Sequence, residues 1–366
     1  MTAKTPKAPP QKTLAVFDLD NTLTDTLTFW ATAVTPVADV LSQNFGMDET
    51  HLVKTILAAP SQYRFSDIGH LITWLDEKGE LPRAHDRDEQ HQIDMTKWIL
   101  RQSWYATQKK MSVFYPDAVD TLRGLKASGT DVAIYSDTEA SSMIRRLWLM
   151  AHNARRAGVF KHEDEMLHLV DHFYSHPSID DDSRILRDVD VRFVQKIKEK
   201  MSIWTSGVYK PAPDYLRIIM KDFGAKPAQT VMVGDTHNDG GGAVPNKVSF
   251  AWAHYGARIA PEIEKAAKRM ASSHYKYGVA DIQASFDATC RPDVILKESI
   301  AELREKFSFV AGNGFSPYSG ATATGPRHSS GGQAQQSLPV YRLHAQTPLH
   351  TRPQPLGPAT HFEPKP

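Results

Sequence analysis

Three short apolar runs along the chain share one grammar. "LAVF" ends at Asp18, "DVAIY" ends at Ser136 and "TVMV" ends at Gly234-Asp235, so each reads as a buried strand with a polar far end. Helical periodicity fills the intervals. In "PDAVDTLRGLKASG", Pro116 can open a helix, Val119, Leu122 and Leu125 share one face, and Gly129 can close it. Strands alternating with helices predict an α/β fold with a parallel sheet. Ligands bind such sheets beyond the carboxyl ends of the strands, so the pattern aims three strand ends at one site.

Two stretches break the alternation. Residues 26–111 are helical in texture, as in "DIGHLITWLDEKGE" and "DMTKWILRQSWYATQKK", and predict an α-helical cap inserted after the first strand. A second interruption at about 176–206 carries Leu186, Val189, Phe193 and Ile197 on one helical face, expected to pack on the core or a partner. From about Gly312 the chain turns to Gly, Ser, Thr, Gln and Pro, which predicts a disordered tail over 311–366. Residues 1–12 are assigned to a disordered N-terminus, leaving 13–25 and 112–310 as the core.

Composition narrows the partners. The 366 residues hold 43 Lys+Arg against 42 Asp+Glu, so no basic excess argues for nucleic acid or an anionic membrane. No run approaches the roughly 18 apolar residues of a membrane span. Cys290 is the single cysteine, which removes intrachain disulfides and thiolate clusters and fits a reducing compartment; cytoplasm is the expectation.

The chemistry starts in "DLDNT". Alternate residues of an extended chain share a side, so Asp18 and Asp20 point the same way roughly 7 Å apart while Leu19 faces inward. Two carboxylates so placed suit a hard divalent cation, and equally fit plain loop acids in a turn-rich sequence. Ser136 in "AIYSDTEA" can hold a phosphoryl oxygen at a strand end. Lys210 in "GVYKPAPDYL" is aimed from a loop stiffened by Pro211, or is one more solvated cation. In "VMVGDTHNDGGGA", Asp235 and Asp239 add acids, although Asp239 also fits a helix cap.

These four stretches, in this order, resemble the phosphatase branch of the haloacid dehalogenase superfamily. DxDxT stands at Asp18, Asp20 and Thr22, the strand-terminal serine is Ser136, Lys-Pro is Lys210-Pro211, and the closing acids are Asp235 and Asp239. The segments "YPDAVDTLRGLKASG" and "DVILKESIAEL" look like family framework, and the place of the 26–111 insert is similar to members with a helical cap. The resemblance implies a Rossmann-like doubly wound core and a Mg²⁺-dependent phosphomonoester hydrolase acting on a small phosphorylated substrate. Asp18 would be the nucleophile and Asp20 the general acid and base. Thr22, which would brace the nucleophile loop, is grouped with Ser136 and Lys210 around the phosphate. Mg²⁺ would bind Asp18, the Asp20 carbonyl, Asp235 and Asp239. The dehalogenases lack the second acid of the first motif, so Asp20 favours phosphoester chemistry. A sugar-phosphate mutase using the same acids is the alternative, and a scaffold protein working through its tail is the alternative of another class.

Asp137 stands where the family commonly has Asn. Unit charges about 5 Å apart repel by about 3 kcal/mol at an effective dielectric near 20, so Asp137 must point away or be paired. The three glycines 240–242 predict a short helix after Asp239. "HEDEMLH" has the wrong spacing for a zinc site, and "LHLVDHFYS" reads as a strand that keeps His168, His172 and His176 apart. Cap tryptophans 30, 74, 98 and 104 are expected to pack, and Arg64 could meet a substrate anion.

Overall fold

The computed structural model of the chain describes residues 9–49, 51–52, 55, 68–178, 185–204, 209–257, 286, 290–316 and 340–342. In chain order the strands are β1 (Gln11–Lys12), β2 (Leu14–Phe17), β3 (Asp131–Glu139), β4 (His172–His176), β5 (Met201–Trp204), β6 (Thr230–Gly234), β7 (Ser249–Ala253), β8 (Val294–Leu296), β9 (Ser308–Phe309) and β10 (Val340–Arg342). Seven of them form a parallel sheet ordered β5-β4-β3-β2-β6-β7-β8, and β10 pairs antiparallel on the β5 edge.

The sequence of β2 explains its central place. All four residues of "LAVF" are fully buried, because a central strand covered on both faces must be apolar on both. Ala15 and Phe17 join the core on the side of helices Ala118–Ala127 and Ala140–Arg156, while Leu14 and Val16 join the core beneath helix Asp214–Asp222. From β2 the chain builds outward to β3, β4 and β5, then returns to the other side with β6, β7 and β8. That reversal makes the carboxyl end of β2 the switch point, where a crevice opens between diverging loops.

The described residues of 26–111 share a core of their own. Helices Thr26–Phe45, Ile68–Glu77 and Arg87–Met111 bury Val37, Leu41, Leu71, Leu75, Leu100 and Trp104 together. Trp104 meets Phe29 edge-on at 5.0 Å and Trp74 packs on the same cluster, whereas Trp98 faces solvent. Arg64 and the Trp30 side chain lie outside the described residues.

Three expected boundaries move. The core begins before Thr13, because Lys12 is buried and its ammonium donates to the Ala228 and Thr230 carbonyls at 2.9 and 3.0 Å and to Ser249 Oγ at 2.7 Å. Burial pushes that amine down to about 8 against the opposing pull of Asp293. The described part of 176–206 belongs to the core: helix Val191–Glu199 buries Phe193, Val194 and Ile197 and leads into β5, which pairs beside β4. At the other end the chain stays packed to Ser316, with Gly314 N donating to Asp131 and the Phe315 ring stacked on His172 at 3.8 Å. The stretch "LHLVDHFYS" begins in helix Glu165–Leu169 and only its second half, from His172, lies in strand His172–His176.

Candidate active site

Asp18 leaves β2 in the first position past its hydrogen-bonded run, and its backbone N–H still donates to Val233 O at 2.8 Å. That contact brings the β6 end, with Gly234 and Asp235, alongside. Helix His237–Ala243 follows at once, and Asp239 occupies its first turn with Oδ2 accepting from Thr236 N at 3.1 Å and Thr236 Oγ1 at 2.8 Å. The helix is short, as its glycines predict, and Asp239 works as the reciprocal partner of the cap rather than as the cap itself. Gly234 is required there, since a Cβ would lie 2.2 Å from the Asp239 carboxyl carbon.

Carboxylate oxygens of Asp18, Asp235 and Asp239 lie within 4.8 Å of one another, and all three residues are buried. Lys210 reaches into this cluster from the opposite loop, its Nζ 2.5 Å from Asp18 Oδ1 and 2.9 Å from Asp239 Oδ1. Burial and the neighbouring acids drive the Asp18 and Asp235 carboxyls well above their ordinary range, against the pull of Lys210. Asp18, Asp239 and Asp137 outweigh burial at Lys210 and hold its ammonium well above the usual lysine range. One lysine thus faces three acids, which leaves room in the charge balance for a divalent cation. An all-oxygen, buried set with no soft ligand fits a hard ion.

Asp20 turns away from that cluster. Its Oδ1 accepts from Thr26 Oγ1 at 2.6 Å and from the guanidinium of Arg146, and its Oδ2 accepts from Thr138 Oγ1 at 3.1 Å and Ser136 Oγ at 3.3 Å. Burial disfavours the anion, yet Arg146 and the hydroxyls prevail and hold the carboxyl below its ordinary range. Ser136 and Thr138, two residues apart on β3, reach the same carboxylate from the stretch in which the β3–β4 register shifts between Tyr135 and Glu139. Asp137 points the other way. Its carboxylate accepts from Tyr135 OH at 2.7 Å and Lys210 N at 3.3 Å and lies 3.4 Å from His176 Nε2. Burial opposes its ionisation, but the His176 contact, Lys210 and Tyr135 outweigh it, which resolves the expected repulsion by pairing.

Thr22 is fully buried, with no hydrogen-bond partner for its hydroxyl among the described residues, and its carbonyl accepts from Tyr255 OH at 2.7 Å. Beside it, Asn21 links the loop to Asp235 by a 3.1 Å bond. Arg146, Thr26, Thr138 and Asn21 were not legible as site residues. A signal for Arg146 was present in "SSMIRRLWLM", where two arginines sit among apolar residues on every side of a helix and so need internal partners.

The comparisons agree with this geometry at the level of family. The model of haloacid dehalogenase-like hydrolases matches residues 12–244, and a HAD-hydrolase-like model matches 208–281. The chain belongs to the haloacid dehalogenase-like hydrolases. Among solved structures it is similar to the L-2-haloacid dehalogenase of Xanthobacter autotrophicus, at 18% identity over 80% of this chain and 97% of that one, with a TM-score of 0.41. It is also similar to CbbY from Rhodobacter sphaeroides in complex with phosphate, at 14% identity over 80% and 96% with a TM-score of 0.42. A HAD family hydrolase from Deinococcus radiodurans R1 with bound phosphate and sodium matches at 17% identity over 81% and 95%, with a TM-score of 0.42. No curated protein sequence matches the chain. No helix among the described residues is long and apolar enough to cross a membrane.

Proposed function

We propose that this hydrolase cleaves phosphomonoesters of small metabolites through a phosphoryl group carried on Asp18, with Mg²⁺ as its cation. The observation that carries the reading is the division of the acids into two groups. Asp18 lies with Asp235, Asp239 and Lys210, whereas Asp20 is held apart on Thr26, Ser136, Thr138 and Arg146. A nucleophile beside a cation site needs the first group. A leaving oxygen that must be protonated needs the second, and carbon–halogen cleavage has no use for it. Asp18, Asp235, Asp239 and the Asp20 carbonyl would hold Mg²⁺, which when bound offsets the charge between an anionic nucleophile and an anionic substrate.

In the first step an Asp18 oxygen attacks phosphorus, the bond from phosphorus to the leaving oxygen breaks, and that oxygen takes a proton through Asp20. Arg146 keeps Asp20 ionised at rest, so the proton arrives with the substrate: a phosphomonoester monoanion, whose second pKa is near 6, carries one. Lys210, its ammonium next to Asp18 Oδ1, offsets charge on the transferring oxygens. In the second step water attacks the same phosphorus while Asp20 takes its proton, the bond to Asp18 breaks, and Asp20 returns to its ionised form by passing that proton to the departing phosphate or to solvent.

Two variants test these roles. Asp18→Asn should form no phosphoenzyme. Asp20→Asn should still react with p-nitrophenyl phosphate, whose leaving group needs little acid help, and should then stall, giving a burst of nitrophenol without matching phosphate. Rapid quench with mass spectrometry of the Asp18 peptide reads both, with and without Mg²⁺. Phosphorylation of Asp18→Asn, or unimpaired turnover after exhaustive chelation, would refute the reading.

A further inference from the structure

Helix Ala140–Arg156 follows β3 directly and carries two adjacent buried arginines. Arg145 faces the cap: Nε donates to Gln108 Oε1 at 3.1 Å, Nη1 donates to the Ile185 carbonyl at 2.8 Å, and the guanidinium lies 4.4 Å from the Tyr105 ring. Arg146 faces the acid. Its Nη2 donates to Asp20 Oδ1 and, at 2.6 Å, to Thr26 Oγ1, while that hydroxyl donates to the same carboxylate oxygen at 2.6 Å. Carboxylate, hydroxyl and guanidinium therefore form a closed triangle, and Thr26 is the residue at which the first cap helix begins.

A guanidinium with a 6% exposed side chain has been taken out of water at considerable cost, and a buried pair of this kind is seldom retained for stability alone, because apolar residues of equal volume serve as well. Arg146 bridges the Asp20 carboxylate and the Thr26 hydroxyl through Nη2 alone, with Nη1 buried and without a hydrogen-bond partner among the described residues, and its rigid planar group holds that one contact in a direction that an apolar residue or a flexible lysine would not. We propose that Arg146 is a positioning residue for Asp20, aiming its carboxyl at the leaving oxygen and tying that aim to the start of the cap. The proposal rests on the phosphohydrolase reading above. Arg146 touches neither substrate nor phosphorus; it acts through Asp20.

The test is the dependence of kcat/KM on leaving group over a series from p-nitrophenyl to phenyl phosphate, for wild type, Arg146→Gln and Arg146→Lys. This parameter reports the step in which the leaving group departs, where misaimed acid help is felt most by the poorest leaving group. In Arg146→Gln the phenyl ester should lose about 100-fold while the p-nitrophenyl ester stays within about 10-fold, the low end of what a positioned acid contributes. Arg146→Lys, which keeps the charge without the planar group, should recover part of the loss. Thr26→Val removes the hydroxyl side of the triangle at nearly constant volume and should steepen the dependence in the same sense by about 10-fold, a readout that remains if Arg146→Gln fails to fold. Equal losses across the series, or wild-type behaviour in all variants, would overturn the proposal while the hydrolase reading stands. A wild type that releases no phosphate from any ester would refute that reading and remove the proposal with it.

Discussion

Replacing Asp235 with asparagine removes one negative charge from the buried cluster while keeping an oxygen for the 3.1 Å bond from Asn21. Carboxylate oxygens of Asp18, Asp235 and Asp239 lie within 4.8 Å of one another. Unit charges at that separation repel by about 3.5 kcal/mol at an effective dielectric near 20, so Asp235 faces about 7 kcal/mol from two ionised neighbours. Taking up a proton limits the penalty: holding a carboxyl neutral at pH 7, against an unfolded pKa of about 3.9, costs about 4 kcal/mol. The pairing of Lys210 with Asp18 and Asp239 lowers the cost further. Asp235→Asn should therefore stabilise the metal-free protein by about 2 kcal/mol, or about 3–4 °C in Tm at an unfolding entropy of about 2.1 cal/mol/K per residue. The pH dependence carries the same sign. Because the Asp18 and Asp235 carboxyls are raised, the metal-free folded state binds protons that the unfolded chain has released, so their penalty is absent below the ordinary carboxylate range and grows as pH climbs towards the raised values. The variant should flatten that slope. Mg²⁺ at 100 times its Kd should stabilise wild type by about 2.7 kcal/mol and the variant by far less. Thermal unfolding with chelator and with Mg²⁺ from pH 5 to 8 measures all of this. A variant less stable than wild type under chelation would show that Asp235 is not electrostatically strained, and an undiminished Mg²⁺ shift would show that it is not a ligand.

A Cβ on Gly256 would lie 1.5 Å from the Asn21 carbonyl oxygen, so Gly256→Ala must displace the loop that carries Asp18 and Asp20. Phosphatase activity should fall by at least about 100-fold, as a misplacement near 1 Å can cost that much, while circular dichroism stays that of a folded protein; wild-type kcat would refute the contact. Deleting residues 317–366 should leave Tm within about 3 °C, since the deleted part packs only the three-residue strand β10 on β5 among the described residues. Deleting 311–366 instead also strips Phe315 from His172 and Phe223, which should cost about 3 kcal/mol of stability in urea unfolding. Equal midpoints for the two truncations would contradict the packing of 311–316.

The fold was legible where a strand had to be apolar on both faces. "LAVF", "DVAIY" and "TVMV" announce β2, β3 and β6, the three strands that carry Asp18, Ser136 and Asp235. It was not legible at β5, where four residues, "MSIW", follow a strongly amphipathic helix and the longer helical pattern masks the shorter strand. Lys12 misled for a similar reason. A lysine ahead of the first apolar run reads as solvated, and only the two carbonyls and one hydroxyl brought up by β6, β7 and the turn before them make its burial tolerable.

The site divides along a related line. Asp18, Lys210, Asp235 and Asp239 were legible because each stands beside a local punctuation mark: the end of an apolar run, a proline, or a glycine followed by a polar turn. Arg146 carries no such mark, and its partner lies 126 residues away, so nothing near it in the sequence says what it does. What the sequence did contain was a conflict. Met143, Ile144, Leu147, Leu149 and Met150 make the helix apolar nearly all round, and such a helix is buried. Arginines inside it cannot stay unpaired, so either the helix is exposed somewhere or the core holds acceptors for two guanidinium groups. The structure resolves the conflict the second way, with Gln108 and the Ile185 carbonyl for one and Asp20 with Thr26 for Nη2 of the other, whose Nη1 has no partner among the described residues. A buried cation in an apolar helix thus locates an anion that must be held still, and here that anion is the acid assigned to proton transfer.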